Sequence, residues 1–255
     1  MKNRSIFKKC SAILAMTIIL AVSFPLKACA KEENPTGIIT MTTTVREVWF
    51  TAVGTKDITI DWGDGKKSNV NDAEYFEDSD MFVFRHDYSG ETTHSIVING
   101  NITWFTCASI GLTALDVSRN PVLTRLDCRN NQLTALDVSK NTALTELRCS
   151  QNQLVTLDVG KNAALESLDL NFNQITHLNV SNNTSLGVLG IVGNQLTTSA
   201  LNDLFRTLPD YSKLENMFGV IYLRERHPLA IGNPGNSDCD RNIANERGWG
   251  FMSIR

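Results

Sequence analysis

The strongest constraint on this chain is a 21-residue period. Written in blocks from Leu112 it reads "LTALDVSRNPVLTRLDCRNNQ", "LTALDVSKNTALTELRCSQNQ", "LVTLDVGKNAALESLDLNFNQ" and "ITHLNVSNNTSLGVLGIVGNQ". The four blocks tile residues 112–195 without a gap. Each splits into two similar halves, L-x-x-L-D-V-S-x-N and then L-x-x-L-x-C/L-x-x-N-Q. A period of this length is the signature of a solenoid. Each period adds one rung, and successive strands lie about 4.8 Å apart, so equivalent residues stack in columns. No rung can bury its apolar face alone, so the core exists only through stacking.

The columns assign positions. Leu115, Leu136, Leu157 and Leu178 are expected to point inward, as are Val117, Val138, Val159, Val180 and Leu126, Leu147, Leu168, Leu189. Two asparagine columns mark the corners: Asn120, Asn141, Asn162, Asn183, and Asn131, Asn152, Asn173, Asn194. There the backbone leaves the strand ladder. An inward amide can serve the freed groups of its own rung and the next. The frame runs upstream into "ITWFTCASIGL", where Ile102, Phe105 and Cys107 fall in the columns of Leu123, Leu126 and Cys128. One column holds Cys107, Cys128, Cys149, Leu170 and Ile191. A position that accepts Cys, Leu and Ile is apolar and inward, so the thiols read as core filler. A disulfide between in-register parallel neighbours has poor geometry, and a zinc site needs more ligands than the column supplies. Cys239 lies outside the frame as a candidate free thiol.

The nested 10/11-residue pattern resembles the short 21-residue class of bacterial leucine-rich repeats. The resemblance implies a mainly β solenoid whose strand face docks ligands. One outward column on that face is Trp104, Arg125, Glu146, Ser167, Val188, and the next is Thr106, Asp127, Arg148, Asp169, Gly190. A third is Ala108, Arg129, Ser150, Asn171, Val192. Exposed aromatics and arginines are typical anchors, so the candidate ligand-binding set is Trp104, Arg125, Asp127, Arg129, Glu146, Arg148, Asp169 and Phe172. A structural reading competes with it. Asp127, Arg148 and Asp169 alternate in sign on adjacent rungs, as in a salt-bridge ladder. On the opposite half, Asp116, Asp137 and Asp158 lie beside Arg119, Lys140 and Lys161, a pattern that favours a solvated, charge-balanced face over a Ca²⁺ site.

The N-terminus has a different character. A basic head with Lys2, Arg4, Lys8 and Lys9 precedes the apolar run "SAILAMTIILAVSF" and the small residues of "PLKACA". This is the pattern of a secretory signal peptide over residues 1–28, with a run too short for a comfortable membrane span. "LKAC" resembles a bacterial lipobox, which makes Cys29 the lipidated first residue, although Lys27 departs from that pattern. "ACA" also fits ordinary cleavage after Ala30. The following "AKEE" resembles the export tag of Bacteroidetes surface lipoproteins. That implies a lipid-anchored linker over 29–36 at the outer membrane. Removal of residues 1–28 takes away five basic residues and leaves 19 against 27 acidic ones, a net charge of −8. Such an acidic body argues against a nucleic-acid partner.

Residues 37–101 read as short strands, in "IITMTTTV", "EVWFTAV", "DITIDW", "FVFRHDY" and "THSIVI". The "WGDG" turn from Trp62 and the "HDY" of His86–Tyr88 resemble the immunoglobulin-like polycystic kidney disease (PKD) module. The resemblance implies a β-sandwich cap with Trp62 in the core, Asp64 in the turn, and His86 and Tyr88 at the corner. The acidic stretch "NDAEYFEDSDM" interrupts it. Asp61 and Asp64 could ligate Ca²⁺, although a turn role suits them better. The repeats occupy 102–197. After Gln195 the frame breaks, and residues 198–255 read as a small α+β C-terminal cap. Leu201, Leu204, Phe205 and Leu208 have helical spacing with Thr198 or Ser199 as N-cap. "GVIYLRE" reads as a strand, a short helix begins near Asp238 or Asp240, and Trp249 and Phe251 close the chain.

Four histidines (His86, His94, His177 and His227) join no catalytic motif, and no phosphate-binding or dinucleotide-binding loop is present. No catalytic residue, metal site or cofactor is therefore expected. The expected function is a non-enzymatic cell-surface binding protein, an adhesin or host-interaction module with a protein or glycan ligand. A monomer is expected. The alternative is a structural or accessory subunit of a surface complex, and a secreted enzyme is a distant third.

Overall fold

The computed structural model describes residues 37–213, 218–222 and 233–252. The signal peptide, Cys29 and the linker lie outside the described residues, as does His227. Fifteen strands are described. They are β1 (Ile38–Thr43), β2 (Glu47–Gly54), β3 (Thr59–Asp61), β4 (Lys67–Asn69), β5 (Glu74–Phe76), β6 (Met81–Asp87), β7 (His94–Asn99), β8 (Ile102–Thr106), β9 (Leu112–Arg119), β10 (Arg125–Asp127), β11 (Glu146–Arg148), β12 (Ser167–Asp169), β13 (Val188–Gly190), β14 (Gly219–Tyr222) and β15 (Trp249–Met252). Two helices, α1 (Thr198–Thr207) and α2 (Asn242–Asn245), follow β13 and β14 respectively.

The strands form two sheets. One has ten strands in the order β15-β14-β13-β12-β11-β10-β8-β2-β6-β5, and the other has five in the order β4-β3-β7-β1-β9. The rung strands pair in parallel at the expected 21-residue offset, with Leu126 opposite Phe105 on one side and Leu147 on the other. β2 then pairs antiparallel with β8, placing Ala52 opposite Phe105 and Val53 opposite Trp104. On the other side β9, the first half of the first full rung, pairs antiparallel with β1. The strands of residues 38–99 are thus continuous with both sides of the solenoid, and one apolar core runs from Ile39 to Trp249. The acidic interruption supplies β5, the edge of the larger sheet.

Inside, the Leu, Val and Cys columns are buried as the period requires. Each large side chain contributes about 1.5–3 kcal/mol by leaving water. The corner asparagines are buried too, but they reach back to the preceding rung rather than forward to the next. Asn131 Nδ2 donates to the carbonyls of Cys107 and Cys128, both at 2.9 Å, and its Oδ1 accepts from the Leu112 N–H at 2.9 Å. Asn152, Asn173 and Asn194 repeat this arrangement. The other column differs. Asn141 Nδ2 donates to Val117 and Asn120 carbonyls, while the Oδ1 atoms of Asn141, Asn162 and Asn183 have no hydrogen-bond partner.

Beyond Gln195 the frame breaks in the sequence, yet the ladder continues. β14 sets Val220 and Ile221 beside Val188 and Leu189, and β15 pairs with β14 in parallel. Asn233 takes the next corner: its Nδ2 donates to the Ile191 carbonyl at 2.7 Å and its Oδ1 accepts from Leu196 N–H at 3.1 Å. Helix α1 fills the gap between rungs and buries Leu201, Leu204 and Phe205. Its N-cap is Thr197, one residue before the predicted positions, with Oγ1 accepting from the Ala200 N–H at 3.3 Å. Gly219 is required by close approach, because a Cβ there would sit 2.2 Å from the Trp249 ring.

Candidate binding face on the ten-stranded sheet

Strand alternation sends every second residue of β8, β10 and β11 to the outside of the larger sheet. Trp104, Arg125, Asp127, Glu146 and Arg148 line one shallow depression there with Leu126, of about 210 Å³. The Arg125 guanidinium lies 5.3 Å from the centre of the Trp104 ring, within cation–π range. Arg125 Nε is 3.8 Å from Glu146, and Arg148 contacts the same carboxylate directly. Arg129 grips Asp127 with two parallel bonds, Nε to Oδ1 at 2.9 Å and a terminal nitrogen to Oδ2 at 2.8 Å. That hydrogen-bonded pair holds the Arg129 guanidinium above its ordinary pKa.

The expected ladder from Asp127 through Arg148 to Asp169 does not form. Arg148 turns to Glu146 and Asp127 to Arg129, each within its own rung. Arg129 already holds Asp127 through two hydrogen bonds, and Arg148 meets the Glu146 carboxylate, which also lies near Arg125 of the adjacent rung. Asp169 is taken by the Ser150 hydroxyl at 2.9 Å and the Asn171 N–H at 3.1 Å. The third outward column is therefore partly a corner, with Ser150 only 7 % exposed and Val192 fully buried.

Phe172 does not belong to the strand face. It occupies a left-handed corner with φ 55°, in a column with Ser109, Asn130, Gln151 and Gly193. Its ring lies over Gly193, where a Cβ would come within 2.6 Å of it. It is a half-buried corner piece, which the 21-residue spacing alone does not reveal.

The remaining candidates resolve into structural roles. Cys107, Cys128 and Cys149 are fully buried free thiols, and Cys239 is free and half-buried. Burial raises the pKa of all three columnar thiols, that of Cys128 to about 12. Asp116, Asp137 and Asp158 each accept the N–H two residues on, at 2.8 Å, as turn-formers. Asp61 accepts the Gly63 N–H, and Asp64 accepts the Lys66 N–H and contacts His86 Nε2 at 2.9 Å. His86 stacks on Trp62 (centroids 4.6 Å apart), and the Tyr88 hydroxyl donates to the Trp62 carbonyl at 2.7 Å. Among the described residues no cluster of three His, Cys, Asp or Glu side chains is arranged for a metal ion, and no helix is long and apolar enough to cross a membrane.

The same outer face continues across the first strands. Register pairs link Phe76 to Met81, Met81 to Val53, Val53 to Trp104, and Trp104 to Arg125. Trp49, 41 % exposed, points to the same side opposite Arg85. Sequence reasoning missed Val53, Met81 and Phe76, because neighbours in a sheet are set by pairing order rather than by local pattern. A larger depression of about 460 Å³ lies where Leu157 and His177 meet α1. Its acids are engaged, Asp158 by the Gly160 N–H and Asp203 by Arg206.

No family model and no curated protein matches the chain. Several solved structures are similar. They include the functional domain of InlJ from Listeria monocytogenes, which includes a cysteine ladder (29 % identity, TM-score 0.36, 57 % of this chain and 38 % of that one). An internalin, inlF, of the same organism aligns at 22 % identity and TM-score 0.40 over 55 % of this chain and 36 % of its own. A leucine-rich repeat protein of Leptospira interrogans aligns at 19 % identity and TM-score 0.38 over 57 % and 41 %. The chain thus spans well under half of each of these three.

Proposed function

We propose that this chain is an exported, non-enzymatic binding protein that presents the outer face of its ten-stranded sheet to a protein or glycan ligand. The observation that carries the reading is the depression in which Trp104, Arg125, Glu146 and Arg148 converge from three adjacent strands. Stacked rungs hold these side chains on rigid backbone, so little ordering entropy is lost on binding. An aromatic ring beside paired arginines is the usual composition of a binding anchor. Chemistry finds less support. The columnar thiols are buried and held protonated, and His86 and His94 are stacked against Trp62 and Tyr88.

The "LKAC" and "AKEE" stretches support a lipid anchor at Cys29 and display at an outer-membrane surface of the Bacteroidetes kind. Metabolic labelling with a palmitate analogue tests this. Label is expected on the wild type and absent from Cys29→Ser, and an unlabelled wild type removes the anchor. The binding reading is tested on a combined glycan and protein array at two salt concentrations. Trp104→Ala and Arg148→Ala are each expected to weaken the recovered interaction about tenfold. Retention of full binding by both variants would leave the structural-subunit alternative, which draws on the ion pairs that these charges already make within the chain.

A further inference from the structure

We infer that the chain holds a second binding site, separate from the strand face, where the first halves of the third and fourth blocks meet α1, and that it takes a neutral sugar ring. The depression of about 460 Å³ there falls within the range of small-ligand sites, roughly 300–1,000 Å³. Leu157 and Leu178 supply its apolar surface. Asp203 reaches it from α1, and the Thr207 hydroxyl fastens that helix to the rung by accepting the Val180 N–H at 3.2 Å.

The repeats change at this place. One column reads Ala114, Ala135, Thr156, His177, and the column two residues on reads Asp116, Asp137, Asp158, Asn179. Alanines in the first two blocks thus give way to a hydroxyl and an imidazole, and the last acid to an amide, on the rungs that line the depression. Packing against α1 does not account for the change, because Thr156, His177 and Asn179 all remain exposed. The helix packs through Ala200, Leu201, Leu204 and Phe205 instead.

The polar atoms define the ligand. Asp158 and Asp203 are each engaged through Oδ1, by the Gly160 N–H and by Arg206. His177 meets the Thr176 hydroxyl through Nδ1 at 3.2 Å, and Asn179 accepts the Ser181 N–H through Oδ1 at 2.9 Å. What remains for a ligand is one acceptor oxygen on each carboxylate, the second imidazole nitrogen, the Asn179 amide donor and the Thr156 hydroxyl. A hydroxyl both donates and accepts, so a polyhydroxylated ring satisfies this mixture while its C–H face rests on the leucines. An ammonium only donates, which sets it against the Asn179 amide, and Arg206 already pairs with Asp203. An anion meets two carboxylates and is repelled.

The probes are the methyl glycosides of glucose, galactose and mannose, with glucosamine and glucuronate as the charged comparisons, titrated into the full exported chain and followed by NMR. Saturable shifts are expected at the amides of Thr156, His177 and Asp203, and at least one neutral glycoside is expected to bind more tightly than either charged sugar. His177→Ala and Thr156→Ala each restore the residue of the first two blocks, so the fold is expected to tolerate them, as thermal melts check. Each is expected to weaken the binding about tenfold. Trp104→Ala, on the strand face, is expected to leave it unchanged. Absence of saturable shifts with all three neutral glycosides, tighter binding of glucosamine or glucuronate, or full affinity in both alanine variants would overturn the proposal. Loss of sugar binding in Trp104→Ala would move the sugar to the strand face and remove the second site.

Discussion

At the residue scale, the two asparagine columns look identical in the sequence and do different work. Asn152 accepts the Leu133 N–H at 3.0 Å and donates to the Cys128 and Cys149 carbonyls. Asn141 only donates, and its own oxygen is buried without a partner. A buried orphan N–H costs more than an under-satisfied carbonyl. Asn152→Ala is therefore expected to cost about 3 kcal/mol and Asn141→Ala about half that, as read by urea unfolding. Equal losses would mean that the amide oxygen contributes nothing at the second corner. The cysteines illustrate the same division between type and role. Their column mates Leu170 and Ile191 identify them as filler, and their complete burial agrees.

At the element scale, the turn from Trp62 to Lys67 is pinned to β6 by one charged contact. Burial pushes the Asp64 pKa up, but the His86 and Lys66 hydrogen bonds outweigh it and hold the carboxyl below its ordinary 3.8. A depressed folded pKa gives stability that is present above the unfolded value and lost as pH falls through the folded one. Asp64→Asn is thus expected to lower the melting temperature near neutrality, and the difference from wild type is expected to vanish below pH 3.8. A constant difference down to lower pH would assign the effect to turn geometry instead. The WGDG turn and the His86–Tyr88 corner were legible in the sequence as a pair. Strand β5 was not, because three residues with polar neighbours carry no period and become a strand only by pairing with β6.

At the scale of the whole molecule, the two sheets pass without a break from the first strands into the rungs. Solenoid stability is a sum of neighbour terms, and here the terminal neighbour of the first rung is β2 on one side and β1 on the other. Calorimetry is expected to show one transition. Met41→Lys, which charges a buried residue of β1, is expected to lower it as a unit. A separate early transition for residues 37–101 would show that the joint transmits little. The C-terminal end makes a similar point. Asn233 occupies a rung corner 39 residues after Asn194, a spacing that no periodicity scan would join.

The sequence alone determined the rungs, because a 21-residue repeat admits one way of stacking leucines, cysteines and asparagines in register. It also named most of the strand face, since alternation beside known inward positions identifies the outward ones. Only the tertiary structure decided which charges meet. Arg148 meets Glu146, while Asp127 is held by Arg129 and Asp169 by Ser150 and Asn171, partnerships that spacing does not encode. Only the tertiary structure brought Phe76, Met81 and Val53 into line with Trp104. Long-range antiparallel pairing places residues far apart in the chain on one surface, and no local pattern records that partnership.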